Sequence, residues 1–178
     1  MDKKSLRAIF QDKRKKISPD RRSEALAMAL SDVESILVTH EYILSYSSFQ
    51  DEFCTKKINA LIAKQGKLLL PKVEGDQLKI FHVNNVNQLE KNSWGIDEPS
   101  SNLCLQINPE QVSCVFVPGL VFDINNHRIG YGKGFYDRFL CKLPKNSIYY
   151  GLGFKEQFLD KNIPSDPTDV PLSKVLLF

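Results

Sequence analysis

The sequence has no long hydrophobic run. Its longest apolar stretch, Val115 to Phe122, is interrupted by Pro118 and Gly119 and is far shorter than the roughly 20 residues that cross a bilayer. We therefore expect no membrane-spanning segment. The N-terminal residues MDKKSLRAIFQDKRKK also lack the apolar core of a signal peptide, so we expect a cytoplasmic protein without a membrane partner.

Paired cysteines and histidines are missing as well. The four cysteines contain no CxxC spacing, and the three histidines are not grouped with them, which argues against a disulfide framework or a zinc site. Internal repeats and low-complexity tracts are also lacking. By contrast, 11 Phe and 6 Tyr within a 42% hydrophobic chain provide enough apolar surface for a folded core. At 178 residues we expect one domain, residues 1–178.

The net charge is only +3, but it is unevenly distributed. Residues 1–22 hold nine basic and three acidic side chains, a balance of +6, so the remaining residues carry −3. At 100° per residue, Lys3, Arg7 and Arg14 lie within about 40° of one another on a helix. Their stems could cover apolar surface, or their charges could bind phosphates. A nucleic-acid surface usually has more charge and interleaved aromatic residues, so we expect no nucleic-acid partner.

The hydrophobic pattern predicts alternating helices and strands. Helices are predicted over the N-terminal segment, after the capping residue Ser18, over 54–65 and over 134–143. Strands are predicted at 42–46, 68–70, 78–83, 112–117, 148–154 and 175–178. Pro71 is expected to end its strand, and 84–111 to form irregular loops. This alternation indicates an α/β fold with helices on both faces of a sheet.

A glycine-rich segment, Arg128 to Arg138, follows the strongest predicted strand and opens a helix. Ligands bind at such positions in open α/β sheets. Three alternate glycines let backbone N–H groups approach an anion, and Arg128 and Lys133 add charge. The segment is neither a Walker A loop nor a GxGxxG motif, so it could be a phosphate cradle or a flexible turn. Asp137 could complement the helix dipole or hold Mg2+.

Two further segments carry polar or aromatic groups that suit a ligand site. Glu52 follows a predicted strand and could cap the next helix or accept hydrogen bonds from the N–H groups of a heterocycle. Trp94, the only tryptophan, could be a packing anchor or a stacking surface. Neither residue is specific by itself.

In combination, these segments resemble the 5-formyltetrahydrofolate cyclo-ligase family over nearly the whole chain. The matching motifs are Lys3–Arg7, Tyr46–Thr55, Leu70–Val73, Trp94–Pro99, Pro118–Asp123, Arg128–Arg138 and Pro164–Asp169 with Leu172. The chain departs from the family at His127 and Lys133, where glycine is frequent, and at Phe135, where tyrosine is common.

The resemblance implies a reaction and a fold. The reaction is the ATP-dependent cyclisation of 5-formyltetrahydrofolate to 5,10-methenyltetrahydrofolate, with ADP and phosphate released after phosphorylation of the formyl oxygen. The implied cofactor is Mg2+, with ATP as co-substrate. The implied fold is a three-layer α/β sandwich with a mostly parallel central sheet, related to sugar-phosphate isomerases and CoA transferases. We expect a monomer.

The resemblance also implies roles for individual residues. Arg128 and Lys133 would be catalytic, and Asp137 and Asp169 would hold the metal. ATP would contact Lys3, Lys4, Ser5, Leu6, Arg7, Arg128, Ile129, Gly130, Tyr131, Gly132, Lys133, Gly134, Phe135 and Tyr136. The folate would contact Tyr46, Ser47, Glu52, Trp94, Tyr131, Gly132, Lys133, Gly134 and Phe135.

Three other functions remain open at this point. The chain could bind a nucleotide or folate without turnover, although intact Glu52, Lys3 and Asp137 argue against this. It could be a nucleic-acid-binding module that uses its basic N-terminus, in which case binding would depend steeply on salt. It could also be a different ATP-dependent ligase with a related pocket.

Overall fold

Residues 3–39 of the chain form two helices that begin at capping side chains. In the computed structural model, which describes residues 1–178, the Asp2 carboxylate accepts a hydrogen bond from the Ser5 N–H and the Ser18 hydroxyl accepts one from the Arg21 N–H. Pro19 occupies the first turn of the second helix, as predicted. The helices are α1 (Lys3–Lys15), α2 (Pro19–Thr39), α3 (Lys56–Lys64) and α4 (Phe135–Leu140).

Seven of the twelve strands form one central sheet. The strands are β1 (Ile43–Leu44), β2 (Leu68–Glu74), β3 (Gln77–His82), β4 (Leu89–Lys91), β5 (Asp97–Pro99), β6 (Leu105–Ile107), β7 (Cys114–Pro118), β8 (Val121–Asp123), β9 (Arg128–Ile129), β10 (Ile148–Gly153), β11 (Phe158–Leu159) and β12 (Lys174–Leu177). The order in the central sheet is β12-β10-β7-β1-β2-β3-β6. Its first five strands are parallel, and β3 and β6 extend it by antiparallel pairing. The predicted α/β class with a mostly parallel sheet is confirmed.

Apolar residues alternate between the two faces of this sheet. Ile43 and Phe116 face a cluster that includes Val33 of α2 and Ile58 of α3. Their neighbours Leu44 and Val115 face the opposite cluster, which includes Phe139 of α4. Because successive residues of a strand point to opposite faces, the sheet is covered by helices on both sides, which gives the expected three layers. None of the helices combines the length and hydropathy required to cross a membrane.

The first helix packs outside these layers. Leu6 and Phe10 of α1 contact Leu120, Val121 and Ile129, which belong to or adjoin a second sheet of order β11-β8-β9. This packing fixes α1 beside the glycine-rich segment that follows β9.

Two of the secondary-structure predictions were wrong. Pro71 does not end β2, which continues to Glu74 in antiparallel pairing with β3. In an antiparallel pair, the N–H groups of successive residues point alternately toward the partner strand and away from it. The nitrogen of Pro71 points away from β3 and toward β1, but β1 pairs only as far as Leu69, so no hydrogen bond is lost. Residues 84–111 are not irregular, since they contain the β4–β5 hairpin and β6, the edge strand of the central sheet.

Glycines in and beside the sheet make room for one buried ring. A Cβ atom built on Gly151 of β10 would lie 2.6 Å from Cε1 of Phe122 and 2.7 Å from Cδ1 of Leu172. A Cβ atom on Gly119 would lie 2.6 Å from Cζ of the same ring. Both positions therefore require glycine as long as phenylalanine occupies position 122.

We predict that Gly151→Ala lowers the free energy of unfolding by about 1–3 kcal/mol, the usual cost of overpacking a core. Adding Phe122→Leu should recover part of this loss, because the smaller side chain vacates the space that the new methyl group needs. Urea unfolding of the two single variants and the double variant measures this coupling. Strictly additive losses would contradict the packing described here.

Candidate active site

The order in which the chain adds strands to the central sheet reverses between the neighbouring strands β1 and β7. From β1 the chain moves to β2 on one side, whereas from β7 it moves to β10 on the other side. Ligands of open α/β sheets bind beyond the carboxyl ends of the strands at such a switch point. Ser47, after β1, and Gly119, after β7, line a cavity at this position. The glycine-rich segment lines the same cavity.

The cavity has a volume of about 580 Å³, within the range of roughly 300–1,000 Å³ that is usual for small-molecule sites. Its apolar wall includes Pro71, Val73 and Leu78 of β2 and β3. The β4–β5 hairpin contributes Trp94, which is 68% exposed. On the other side of the opening, Lys133 Nζ lies 5.3 Å from the centre of the Trp94 ring. The hairpin and the glycine-rich segment therefore meet above the cavity.

Backbone conformation explains two of the glycines. Gly132 and Gly134 have φ angles of +97° and +64°, in the left-handed region that favours glycine. A Cβ atom on Gly132 would lie 3.3 Å from the Arg7 guanidinium. Arg7 Nε donates a hydrogen bond to the Gly130 carbonyl at 2.8 Å, so α1 holds this segment directly.

Arg128 and Asp137 form a pair at the floor of the cavity. Arg128 Nη2 donates to Asp137 Oδ1 at 3.0 Å, and the Val170 N–H donates to the same oxygen at 3.2 Å. The Arg128 side chain is only 5% exposed, and its Nε has no hydrogen-bond partner. Its position is thus fixed by Asp137 and by the Tyr136 ring, whose centre lies 5.8 Å away.

Lys3 joins the start of α1 to the C-terminal segment. Its ammonium group donates to Asp166 and Asp169, and the Asp166 N–H donates to Asp169 Oδ2 at 2.7 Å. Burial by itself would raise the pKa of Asp169, but the hydrogen bonds from Lys3 and from the Asp166 backbone outweigh it and lower that pKa. Asp169 is therefore a carboxylate at neutral pH.

The carboxylates of Asp137 and Asp169 fit a magnesium ion that is shared with a phosphate. No group of three or more side chains that could hold a metal is present. Mg2+, however, is usually bound by one or two carboxylates together with substrate phosphates and water. Asp137 and Asp169 line the same cavity, and each has one carboxylate oxygen that accepts no hydrogen bond from the protein.

The cavity also contains a second type of polar group. Glu52 is 9% exposed, and its Oε2 accepts a hydrogen bond from the Phe49 N–H at 2.9 Å. Burial raises the pKa of Glu52 despite this hydrogen bond. Tyr46 and Tyr136 also line this part of the cavity. A buried carboxylate among aromatic rings can accept hydrogen bonds from N–H groups of a flat ligand.

Most residues implied by the family resemblance line this one cavity, but three do not. The lining residues among them are Lys3, Arg7, Tyr46, Ser47, Glu52, Trp94, Asp137, Asp169 and the whole segment from Arg128 to Tyr136. By contrast, Lys4 and Ser5 lie on the exposed side of α1, and Leu6 is buried in the apolar cluster beneath it. The helical period explains this, because only residues 3 and 7 of that motif share the face toward the cavity.

The sequence did not assign a role to two charged residues near the cavity. Asp166 lines the cavity and shares Lys3 with Asp169; its place within the Pro164–Asp169 motif was the available signal. Arg14 was placed on the stripe with Lys3 and Arg7, but its burial and partners come only from the structure. It is 1% exposed and contacts Asp51, Gly119 and Tyr131.

A cavity at a switch point, with a cationic helix face and a glycine-rich segment around it, is typical of an α/β enzyme that binds an anionic small molecule. Comparison with known proteins specifies the family. The model of the 5-formyltetrahydrofolate cyclo-ligase family matches residues 1–177. The chain belongs to this family, whose members are ligases.

Individual relatives agree with this assignment. The chain is 29% identical to the 5-formyltetrahydrofolate cyclo-ligase of Mus musculus over an alignment of 194 residues. This alignment covers 98% of this chain and 92% of the mouse protein. The NMR structure of the Aquifex aeolicus 5,10-methenyltetrahydrofolate synthetase has a TM-score of 0.86 at 28% identity, over 98% of this chain and 89% of that one.

A 5,10-methenyltetrahydrofolate synthetase structure from Mycoplasma pneumoniae shares the fold, with a TM-score of 0.78 at 23% identity and 98% coverage of both chains. The expected relationship to sugar-phosphate isomerases and CoA transferases stays a prediction.

We predict that Glu52→Gln stabilises the fold at neutral pH. Burial raises the pKa of Glu52 above its ordinary value of 4.5, so the folded state binds more protons than the unfolded state and loses stability as the pH rises through that raised pKa. Glutamine keeps the acceptor for the Phe49 N–H without this cost. Below pH 4.5 the stability difference between the two proteins should be smallest, and it should grow toward neutrality.

Urea unfolding of both proteins from acidic to neutral pH measures that difference. A difference that stays constant or shrinks as the pH rises would contradict the assignment of Glu52 as a carboxyl group that is costly to ionise.

Proposed function

We propose that this chain catalyses the ATP-dependent cyclisation of 5-formyltetrahydrofolate to 5,10-methenyltetrahydrofolate with release of ADP and phosphate. The observation that carries the proposal is that one cavity combines two different sets of groups. The cavity is lined both by cations and glycine backbone suited to phosphates and by a buried carboxylate among aromatic rings. A ligase that activates a folate with ATP needs both sets within one site.

The triphosphate would bind beside α1. Lys3 and Arg7 project from consecutive turns of α1 toward the cavity, and the backbone of Gly130 to Gly134 lies directly beside Arg7. Asp137 and Asp169 would hold Mg2+. The ion would neutralise phosphate charge and align the transferring group, as in other phosphoryl transfers.

The folate would occupy the side lined by Glu52. Its carboxylate would accept hydrogen bonds from the N–H groups of the pterin, and Tyr46, Ser47 and Phe135 would surround the ring. Trp94 lies at the opening, where it could stack on the part of the substrate that extends out of the cavity.

The reaction requires that the formyl oxygen become a leaving group, which a formamide oxygen by itself is not. Transfer of the γ-phosphoryl group of ATP to this weakly nucleophilic oxygen produces a phosphorylated iminium. The amine at position 10 then attacks the formyl carbon, loses its proton, and closes the ring as phosphate departs with the former formyl oxygen. Arg128 and Lys133 would stabilise the charge that develops on the transferring group.

Other aspects of the proposal concern the setting rather than the reaction. We propose that the enzyme acts in the cytoplasm as a monomer and does not bind nucleic acid. The modest net charge of +3 supports the last point, because nucleic-acid-binding domains are usually much more basic.

The direct test mixes the purified chain with MgATP and 5-formyltetrahydrofolate and follows the methenyl product by absorbance and ADP by a coupled assay. We expect equal amounts of product and ADP, and neither when the metal is chelated. ATP binding without product would overturn the proposed reaction in favour of a binder without turnover or a ligase with another acceptor.

We predict that Lys3→Ala lowers kcat/KM for ATP by about 100-fold, the usual effect of removing one charged group that contacts a developing anion. Lys15→Ala is the matched control, since Lys15 is an exposed lysine of the same helix that does not line the cavity. Steady-state kinetics at saturating folate provides the measurement. Equal activity of the two variants would contradict the role of Lys3.

A further inference from the structure

Arg14 is the most deeply buried basic residue of the protein, with 1% of its surface exposed. Unlike Lys3 and Arg7 on the same helix face, it does not line the cavity. Each of its guanidinium nitrogens donates a hydrogen bond. Nε donates to Asp51 Oδ2 at 2.9 Å, Nη1 to the Gly119 carbonyl at 3.4 Å and Nη2 to the Tyr131 hydroxyl at 2.5 Å.

These three partners belong to three separate segments of the chain that contribute residues to the cavity. Asp51 directly precedes Glu52 in the segment after β1, Gly119 follows β7, and Tyr131 lies within the glycine-rich segment. Gly119 and Tyr131 line the cavity themselves. A single planar group thus joins the segment after β1, the residue after β7 and the glycine-rich segment by hydrogen bonds.

The turn that carries Glu52 depends on such external contacts. Gln50 has a φ angle of +52°, a conformation that costs free energy for a residue other than glycine and persists only where surrounding contacts enforce it. Within the turn, the Glu52 N–H donates to the Phe49 carbonyl at 3.1 Å. The side chain of Asp51 binds Arg14, and its carbonyl accepts a hydrogen bond from Arg22 Nη1 at 2.9 Å.

We propose that Arg14 is a positioning residue for the folate half of the site, acting through Asp51 and Tyr131 on the placement of Glu52 and the glycine-rich segment. This inference rests on the proposed function. Arg14 reaches no substrate itself. Lysine cannot replace it, because an ammonium group lacks the planar fork that addresses three acceptors in fixed directions.

The test compares ligand binding to the wild-type chain and to Arg14→Lys. Isothermal titration calorimetry with 5-formyltetrahydrofolate and, separately, with ATP avoids any dependence on turnover. We expect Arg14→Lys to weaken folate binding by about tenfold or more, since small displacements of binding groups have effects of up to about 100-fold. ATP binding should weaken less than folate binding, because Lys3 keeps its carboxylate partner and Arg7 still holds the Gly130 carbonyl of the glycine-rich segment.

Arg21→Lys is the matched control. Arg21 also donates several hydrogen bonds, to the Glu156 carboxylate and to the Phe178 carbonyl. Neither Arg21 nor these partners line the cavity. A stability loss in this variant should leave both affinities as in the wild type. Asp51→Asn, which retains an acceptor oxygen for Arg14 Nε, should weaken folate binding in the same direction as Arg14→Lys, and it decides the test if Arg14→Lys does not fold.

The outcomes separate the two levels of the proposal. Selective loss of folate affinity in Arg14→Lys or Asp51→Asn supports the positioning role. Unchanged folate binding, or an equal loss for both ligands, would overturn it while leaving the proposed reaction intact. A wild-type chain that does not bind 5-formyltetrahydrofolate at all would instead overturn the proposed function, and this inference with it.

Discussion

The site depends on the docking of one face of α1 onto acceptors from distant parts of the chain. Lys3 pairs with the carboxylates of Asp166 and Asp169, Arg7 donates to the Gly130 carbonyl, and Arg14 pairs with Asp51. The apolar residues of α1, Leu6 and Phe10, provide the burial that holds the helix in place. Without this docking, the glycine-rich segment would lose its hydrogen bond from Arg7, and the two strand ends at the switch point would lose their common partner.

This arrangement concentrates groups that cost stability at the place where ligands would bind. Burial raises the pKa of Glu52, so ionising this carboxyl group costs free energy. The turn that carries it contains Gln50, whose φ angle is positive. Arg128 retains a buried donor without a partner. Unfavourable features of this kind cluster at functional sites, where the rest of the fold compensates for them. Here the compensation comes from the apolar layers on both faces of the sheet.

The sequence predicts the α/β class and the position of the glycine-rich segment, because both follow from local periodicity and from the order of strands and helices. It also places Lys3, Arg7 and Arg14 on one face by geometry alone. It could not reveal that Arg14 is buried, since its partners lie 37 to 117 residues away along the chain. The prediction that Pro71 ends its strand was wrong, because whether a proline interrupts a sheet depends on which neighbouring strand its nitrogen faces. The roles that the family resemblance implies for Lys4, Ser5 and Leu6 stay predictions, since these residues do not line the cavity.

The central claim is that this cavity brings the formyl oxygen and the γ-phosphoryl group of ATP together. It can be tested with 5-formyltetrahydrofolate that carries ¹⁸O in the formyl group, incubated with the purified chain and MgATP, by mass spectrometry of the phosphate released. If the formyl oxygen is phosphorylated, the label appears in the phosphate in proportion to the methenyl product. Methenyl product accompanied by unlabelled phosphate would contradict the account.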